Sequence, residues 1–200
     1  AYQANPEQYL ANNPLPIQDD LLKLSSRGRE WKLDELVGDI DPLPMGRSFE
    51  VGKELFKVAS CVSCHKLGDE GQVFGPDLAK LDVKKHTTLH VLKSLIEPSQ
   101  EIDDKFRSQI FLLDSGKVVT GMIVKETDDA IHVVIDPLAK GKPTIIARNE
   151  IEVQKKSDVS LMPKGLLDKL SREEILDLIA YVMAKGDKKH KMYMHEHHDH

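Results

Sequence analysis

Apolar positions recur every three or four residues in two parts of the chain, a spacing typical of helices. Residues 52–56 predict a short helix that runs into residue 61. Residues 81–96 predict a second helix, which Pro98 ends. The apolar side of this second helix contains Leu89, Leu92, Leu95 and Ile96.

A third helix is predicted near the C-terminal end of the chain. Ser171 can cap it, and Glu174 stands three residues later, as a capping box requires. The apolar stripe of this helix contains Ile175, Leu178, Ile179 and Val182. We expect the stripe to pack on the helix at 52–56.

Between these helical segments the apolar positions alternate with polar ones, which is typical of strands. Turn residues at 114–116 and 127–129 separate the first strands. The predicted strands are 108–113, 118–125, 131–135, 144–147 and 151–154. Strands this short and this closely spaced predict a small antiparallel meander or barrel.

Composition adds limits to this outline. The chain has 200 residues, of which 40% are hydrophobic and 30% are charged, as in ordinary globular domains. It contains 28 basic and 33 acidic residues, which are interspersed, so a nucleic-acid partner is not expected. No run of about 18 apolar residues predicts a transmembrane segment.

The chemistry is concentrated at Cys61, Cys64 and His65, which form a Cys-x-x-Cys-His motif. Two thiols at this spacing can each bond to one haem vinyl group, and the next imidazole can bind the iron. A redox dithiol would not need the histidine, and a zinc site would need further ligands although no third cysteine exists. The motif therefore predicts one covalent haem c with His65 on the iron.

The motif and its surroundings resemble class I cytochromes c. The resemblance rests on Gly-Lys-Glu-Leu-Phe at 52–56, the haem motif, Gly-Pro-Asp-Leu at 75–78, and Met162 before the capped helix. It implies that the Pro76 carbonyl accepts a hydrogen bond from His65. It also implies that Met162 is the sixth ligand of the iron.

A narrower resemblance, over residues 46–187, is to a haem-binding domain of planctomycetes and verrucomicrobia. That domain usually ends large secreted or membrane-associated dehydrogenase-like proteins. The matching segments are 46–49, 52–56, the haem motif, 75–78, 96–99 with Ile102, 116–121, 162–166 and 173–178. The expected fold class is α+β, with a mainly helical cytochrome c core and a β insert at about 106–156 between the two iron ligands.

Both ends of the chain lie outside this domain in our prediction. Residues 1–45 are expected to form an N-terminal arm that Trp31 anchors to the core. Residues 188–200 form a tail rich in histidine and methionine, which could bind copper, nickel or zinc. Its candidate ligands are His190, His195, His197, His198 and His200. The alternative is that the tail serves only as a purification aid.

These features predict an electron-transfer protein, or such a domain of a larger dehydrogenase, rather than an enzyme. Its partner would be a redox protein, either a dehydrogenase, an oxidase or a reductase. Covalent haem attachment predicts a periplasmic or otherwise exported location. Two alternatives stay open: an iron with a vacant position or a labile Met162 that binds peroxide or nitric oxide, and a tail that handles copper.

Overall fold

The computed structural model describes residues 28–137 and 142–194. The described residues form four α-helices and one five-stranded antiparallel sheet, so the predicted α+β class is confirmed. The helices are α1 (Leu33–Ile40), α2 (Phe49–Val58), α3 (Thr88–Ile96) and α4 (Arg172–Met183). The strands are β1 (Gln109–Leu113), β2 (Val118–Glu126), β3 (Ala130–Val134), β4 (Thr144–Ala147) and β5 (Ile151–Lys156).

The helical part is built on the contact between α2 and α4, which confirms the predicted packing of the last helix. Gly52 lets the two backbones approach, because a Cβ atom there would stand 2.3 Å from the Asp177 carbonyl oxygen. The Tyr181 ring lies edge-on to Phe49, with ring centroids 5.4 Å apart. A larger residue at position 52 would therefore separate the helices.

The predicted start of α4 is confirmed in atomic detail. The Ser171 hydroxyl accepts a hydrogen bond from Glu174 N, and the Glu174 carboxylate accepts one from Ser171 N. The prediction of a single apolar stripe is wrong, since every residue from 175 to 182 is buried. The reason is that α4 contacts α1, α2 and α3 together.

The start of α3 differs from the prediction of a helix over 81–96. The helix begins at Thr88, and the Thr87 hydroxyl caps it by accepting a hydrogen bond from His90 N. Leu92 and Leu95 are buried as expected. Leu81 continues the apolar pattern because it packs against the helical core from a loop.

The strand predictions are confirmed to within two residues. The sheet order is β4-β3-β2-β1-β5, so four strands form a meander and β5 returns to pair with β1. Edges of a flat five-stranded sheet would be about 19 Å apart. The 3₁₀ turn Arg148–Glu150 that joins these edges spans only about 8 Å. The sheet is therefore curled like a partly closed barrel.

The sheet encloses a core of its own, separate from that of the helices. The buried side chains are Phe111, Leu113, Val119, Ile131, Val133 and Ile146. Gly121 faces this core, where a Cβ atom would meet the Val134 carbonyl oxygen at 2.4 Å. The segment from β1 to β5 is called the β module below.

Two adjacent chain segments, 99–108 and 157–160, connect the β module to the helical part, and we call them the neck. Ser160 N donates to Ser99 Oγ at 3.1 Å, and Ser157 N donates to the Ser108 carbonyl at 2.9 Å. The Arg107 guanidinium donates to the carbonyls of Ser157 and Ile102. The chain thus enters and leaves the β module side by side.

The ends of the described chain join the helical part. Trp31 is buried, and its ring nitrogen donates to the Leu170 carbonyl at 3.0 Å. Tyr193 packs on Phe49 with ring centroids 5.5 Å apart, and its hydroxyl donates to the Ala180 carbonyl. Residues from the predicted arm and from the predicted tail thus contact the helical core directly.

Candidate functional site

Cys61, Cys64 and His65 lie together in a tight turn that follows α2. Ser60 has φ 62°, the left-handed conformation, and redirects the chain into a 3₁₀ turn at Cys61–Ser63. The amides of Cys64 and His65 both donate to the Cys61 carbonyl, at 3.1 and 2.8 Å. This turn holds the two free thiols and the imidazole within five consecutive residues.

Both thiols are held in the neutral form. Burial raises the pKa of Cys61 to about 12. Burial also raises the pKa of Cys64, and the nearby Asp136 carboxylate adds to this rise. A redox dithiol instead requires a thiol with a lowered pKa. These surroundings do not favour the redox dithiol interpretation of the motif.

The imidazole of His65 is fixed by the loop that follows it. Its Nδ1 lies 3.0 Å from the Pro76 carbonyl oxygen. A carbonyl can only accept, so Nδ1 carries the proton and donates, which leaves the lone pair on Nε2. Burial lowers the pKa of His65, and the Pro76 hydrogen bond opposes this shift in part. His65 therefore offers Nε2 as a neutral ligand.

Two glycines allow the loop to close over the motif. A Cβ atom at Gly75 would lie 2.6 Å from Cε1 of His65, so this glycine lies against the imidazole ring. Gly71 has φ +99°, and a Cβ atom there would overlap the His65 carbonyl oxygen at 2.0 Å. Gly75 N donates to the Cys64 carbonyl at 2.7 Å. The close approach of the Gly71 and Gly75 backbone to His65 therefore orients the imidazole ring.

Met162 lies in the loop that leads from the neck towards α4. It is half-buried and packs against the helical core. Its amide donates to Ser160 Oγ at 3.1 Å. Before Met162, Ser160 N donates to Ser99 Oγ, and after it Lys164 forms an ion pair with Glu97, so the loop is fastened to the segment that ends α3 on both sides of Met162.

The other described methionines have different surroundings. Met45 is 38% exposed and Met194 is 57% exposed. Met122 belongs to β2 and Met192 to a 3₁₀ turn after α4. Met183, like Met162, is half-buried against the helical core, but it stands in the last turn of α4.

The described residues fit a covalent haem. The donor set consists of two unpaired thiols and a neutral imidazole with a free Nε2. Half-buried apolar side chains extend from the helical core in the segments after α2, and such side chains suit a large apolar ring. They include Val62, Leu78, Ala79, Leu81, Leu89 and Met162.

Sequence reasoning missed a buried polar contact between α2 and α4. The Asp177 carboxylate accepts a hydrogen bond from Ser48 N at 2.9 Å and lies 3.7 Å from Arg47 Nε. Burial raises the pKa of Asp177 to about 6, against the opposing effects of Ser48 and Arg47. No local signal predicted this role, because Asp177 stands outside the predicted apolar stripe, where a charged side chain is expected to face solvent.

The proposed metal site of the tail gains no support from the described residues. His190 Nδ1 accepts a hydrogen bond from Met192 N at 3.3 Å and caps a 3₁₀ turn. The other tail candidates, His195, His197, His198 and His200, lie outside the described residues. Over residues 28–137 and 142–194, no group of three or more histidine, cysteine, aspartate or glutamate side chains could hold a metal ion.

Among the helices that the structure describes, none has the length and apolarity needed to cross a membrane.

Comparison with protein families finds that residues 49–131 match the cytochrome c family. The match begins with α2, contains Cys61, Cys64 and His65, and ends in β3. It supports a cytochrome c-like domain in this chain. No curated protein matches the chain.

Proposed function

We propose that the cytochrome c-like domain carries one haem c and transfers one electron to or from a protein redox partner. Cys61 and Cys64 would bind the haem covalently, and His65 and Met162 would hold its iron. The hydrogen bond from His65 Nδ1 to the Pro76 carbonyl carries this proposal, because it leaves Nε2 available for iron. When bound, the haem supplies one-electron iron chemistry.

The protein's part in attachment is to present two neutral thiols at a fixed spacing. Each S–H can add across one vinyl double bond, so that the sulfur bonds to carbon and the hydrogen goes to the neighbouring carbon. The 3₁₀ turn at Cys61–Ser63 sets the spacing of the two sulfur atoms. No thiolate is retained in the product, in agreement with the buried surroundings of Cys61.

The axial residues set the electronic properties of the site. A proximal imidazole that donates Nδ1–H to a carbonyl is oriented and made more basic. A thioether is a soft ligand that favours ferrous iron, so Met162 would raise the reduction potential. With His65 and Met162 both holding the iron, the haem group would supply electron transfer without substrate binding at iron.

Covalent haem attachment takes place beyond the cytoplasmic membrane, so we propose a periplasmic or otherwise exported location. The redox partner would be a dehydrogenase, an oxidase or a reductase. The narrower relationship to the planctomycete and verrucomicrobial domain also belongs to this proposal. Residues 46–187 would then serve as the electron-transfer domain of a dehydrogenase-like system.

The test is the visible spectrum of the protein expressed with a c-haem maturation system. Ferric iron bound to a thioether shows a weak long-wavelength charge-transfer band. We expect this band in the wild type, its loss in Met162→Leu, and its retention in Met183→Leu. Met183 is the matched control, since it is also half-buried against the helical core.

A high-spin ferric spectrum in the wild type would contradict ligation by Met162. Binding of peroxide or nitric oxide at iron would then become the leading function. Gly75→Ala tests the proximal side, because a Cβ atom would overlap the His65 ring at 2.6 Å. We expect this variant to attach haem but to show a shifted reduction potential, and an unchanged potential would contradict the proposed orientation of His65.

A further inference from the structure

Two histidines outside the haem site face each other at the start of α3. The rings of His86 and His90 have centroids 4.8 Å apart and planes inclined by 60°. Both side chains are half-buried. Thr87 caps the helix between them, and His86 N donates to the Asp82 carbonyl at 2.8 Å. Backbone hydrogen bonds therefore hold the segments that carry both rings.

This separation fits two imidazoles bound to one metal ion. With metal–nitrogen bonds of about 2.0–2.1 Å, the centroids of two such rings lie about 4.5 Å apart at a right angle and about 5.2 Å apart at a tetrahedral angle. The observed 4.8 Å falls between these limits. The inclination of 60° also excludes a parallel ring stack.

The carboxylate of Glu101 lies beside His90. One of its carboxylate oxygens lies 4.0 Å from Nδ1 of His90. A carboxylate beside one imidazole nitrogen holds the proton there and leaves the other nitrogen for a metal. Glu101 is 81% exposed, so its side chain can move towards His90 without disturbing the core.

The charges nearby set a limit on the affinity of such a site. Lys84, Lys85 and Lys93 stand close in sequence to the two histidines, whereas Asp82 and Glu101 oppose them. Attraction of a cation by a negative field is therefore not the driving force. Binding would depend on coordination bonds from the two imidazoles.

We propose that His86 and His90 form a two-ligand site for a divalent transition metal ion, with Cu²⁺ bound more tightly than Ni²⁺ or Zn²⁺. In this site Glu101 would move from 4.0 Å to hydrogen-bonding distance of His90 Nδ1 and act as a positioning residue. Water completes the coordination sphere, because no third protein ligand is arranged there among the described residues. The site exchanges its ion readily and is independent of haem attachment.

The experiment is a Cu²⁺ titration of the full-length haem protein, followed by calorimetry and by electron paramagnetic resonance. The reference protein carries glutamine at the five tail histidines, so that the tail contributes no imidazole. We expect the reference to bind one equivalent of Cu²⁺ with two nitrogen ligands. We expect His86→Gln or His90→Gln to weaken binding about 100-fold, and Glu101→Gln to weaken it about tenfold.

His132→Gln is the control, because His132 lies on β3 in the β module. We expect it to bind Cu²⁺ like the reference protein. Equal affinity of the His86→Gln, His90→Gln and reference proteins would overturn the proposal, as would a single nitrogen ligand in the reference spectrum. All variants keep Cys61, Cys64 and His65, so the differences between them report on α3 whether or not haem attaches.

Discussion

The helical part and the β module of this protein build their cores in different ways. The buried cluster of the helical part is surrounded by many half-buried apolar side chains, which include Leu78, Leu89 and Met162. In the β module, the half-buried side chains packed against the core are Ile123 and Ile151 among the described residues. The strands enclose the core of the β module, although other apolar side chains on them are exposed, such as Val118 and Ile145. The helices instead leave half-buried apolar side chains in the segments around His65.

This difference between the two cores indicates where a large cofactor can bind. A curled sheet closes its interior by strand pairing, so its core needs no further component. Helices joined by long loops leave gaps that loops or a prosthetic group can fill. In the proposed function the haem completes the helical core, and the β module folds without it.

The largest effects are expected when one methyl group is added in each part at a glycine that lies against another backbone segment. These two substitutions test whether the two cores are independent. Gly52→Ala would place Cβ 2.3 Å from the Asp177 carbonyl oxygen, and Gly121→Ala would place it 2.4 Å from that of Val134. We expect each to lower the free energy of unfolding of its own part by about 3 kcal/mol. Fluorescence of Trp31, the single tryptophan, reports on the helical part, and amide hydrogen exchange reports on β1–β5.

We expect Gly52→Ala to alter the haem spectrum and Gly121→Ala to leave it unchanged. If both substitutions lowered protection over the whole chain equally, the two cores would unfold as one unit. That result would contradict the independence of the β module.

A second prediction concerns pH and only the helical part. Burial raises the pKa of Asp177 from 3.8 to about 6, so the folded state binds a proton that the unfolded state has released between these values. Stability should therefore fall as pH rises from about 4 to about 6.5, by up to about 3 kcal/mol. Asp177→Asn should remove this slope, because an amide does not titrate in this range. The amide oxygen can still accept the hydrogen bond from Ser48 N, so the local structure is kept.

The measurement is urea unfolding of both proteins between pH 4 and pH 7, monitored by Trp31 fluorescence. The difference between wild type and Asp177→Asn isolates this carboxylate from the other acidic groups. A slope of the opposite sign would mean that Arg47, 3.7 Å away, outweighs burial and holds the carboxylate ionised.

A smaller effect is expected at the neck. Arg107→Ala removes hydrogen bonds to the carbonyls of Ser157 and Ile102, at 3.1 and 3.2 Å. We expect a loss of about 2 kcal/mol and a wider separation between the unfolding transitions of the two parts. Calorimetry checks this, with Lys105→Ala at an exposed neighbouring position as the control. Unchanged transition temperatures in Arg107→Ala would show that the Arg107 hydrogen bonds do not couple the parts.

The smallest expected effect has the opposite sign. Gly38 lies inside α1, and a Cβ atom there would meet nothing within 4 Å. Gly38→Ala should stabilise the helical part by about 0.5–1 kcal/mol, because alanine loses less backbone entropy in a helix. Thermal unfolding monitored by Trp31 measures it. Destabilisation would indicate that the space beside α1 is occupied when haem is attached.

Local signals predicted those elements that short-range hydrogen bonds define. The start of α4 follows from Ser171 and Glu174, and the hairpins follow from turn residues between alternating segments. The start of α3 was missed because Leu81 extends the apolar spacing, although Thr87 offered a capping signal. The pairing of β5 with β1 joins distant segments and has no local signal.

The candidate site was predictable only in part. The motif at Cys61, Cys64 and His65 has a spacing that chemistry requires, so sequence alone locates it. The contact of Gly75 with the imidazole and the buried carboxylate of Asp177 depend on how distant segments meet. Such contacts arise from packing, which residue periodicity does not encode.

The neck also bears on the order in which the chain folds. To bring α4 onto α2, the polypeptide must close a loop that contains the β module, about sixty residues between Ser99 and Ser160. Once the β module has formed, Ser99 and Ser160 are held at hydrogen-bonding distance, and the connection between α2 and α4 shortens in effect from about 110 residues to about 50. The entropic cost of closure falls by about 0.7 kcal/mol. The β module therefore acts as a folding clamp, whose early formation would speed the docking of α4.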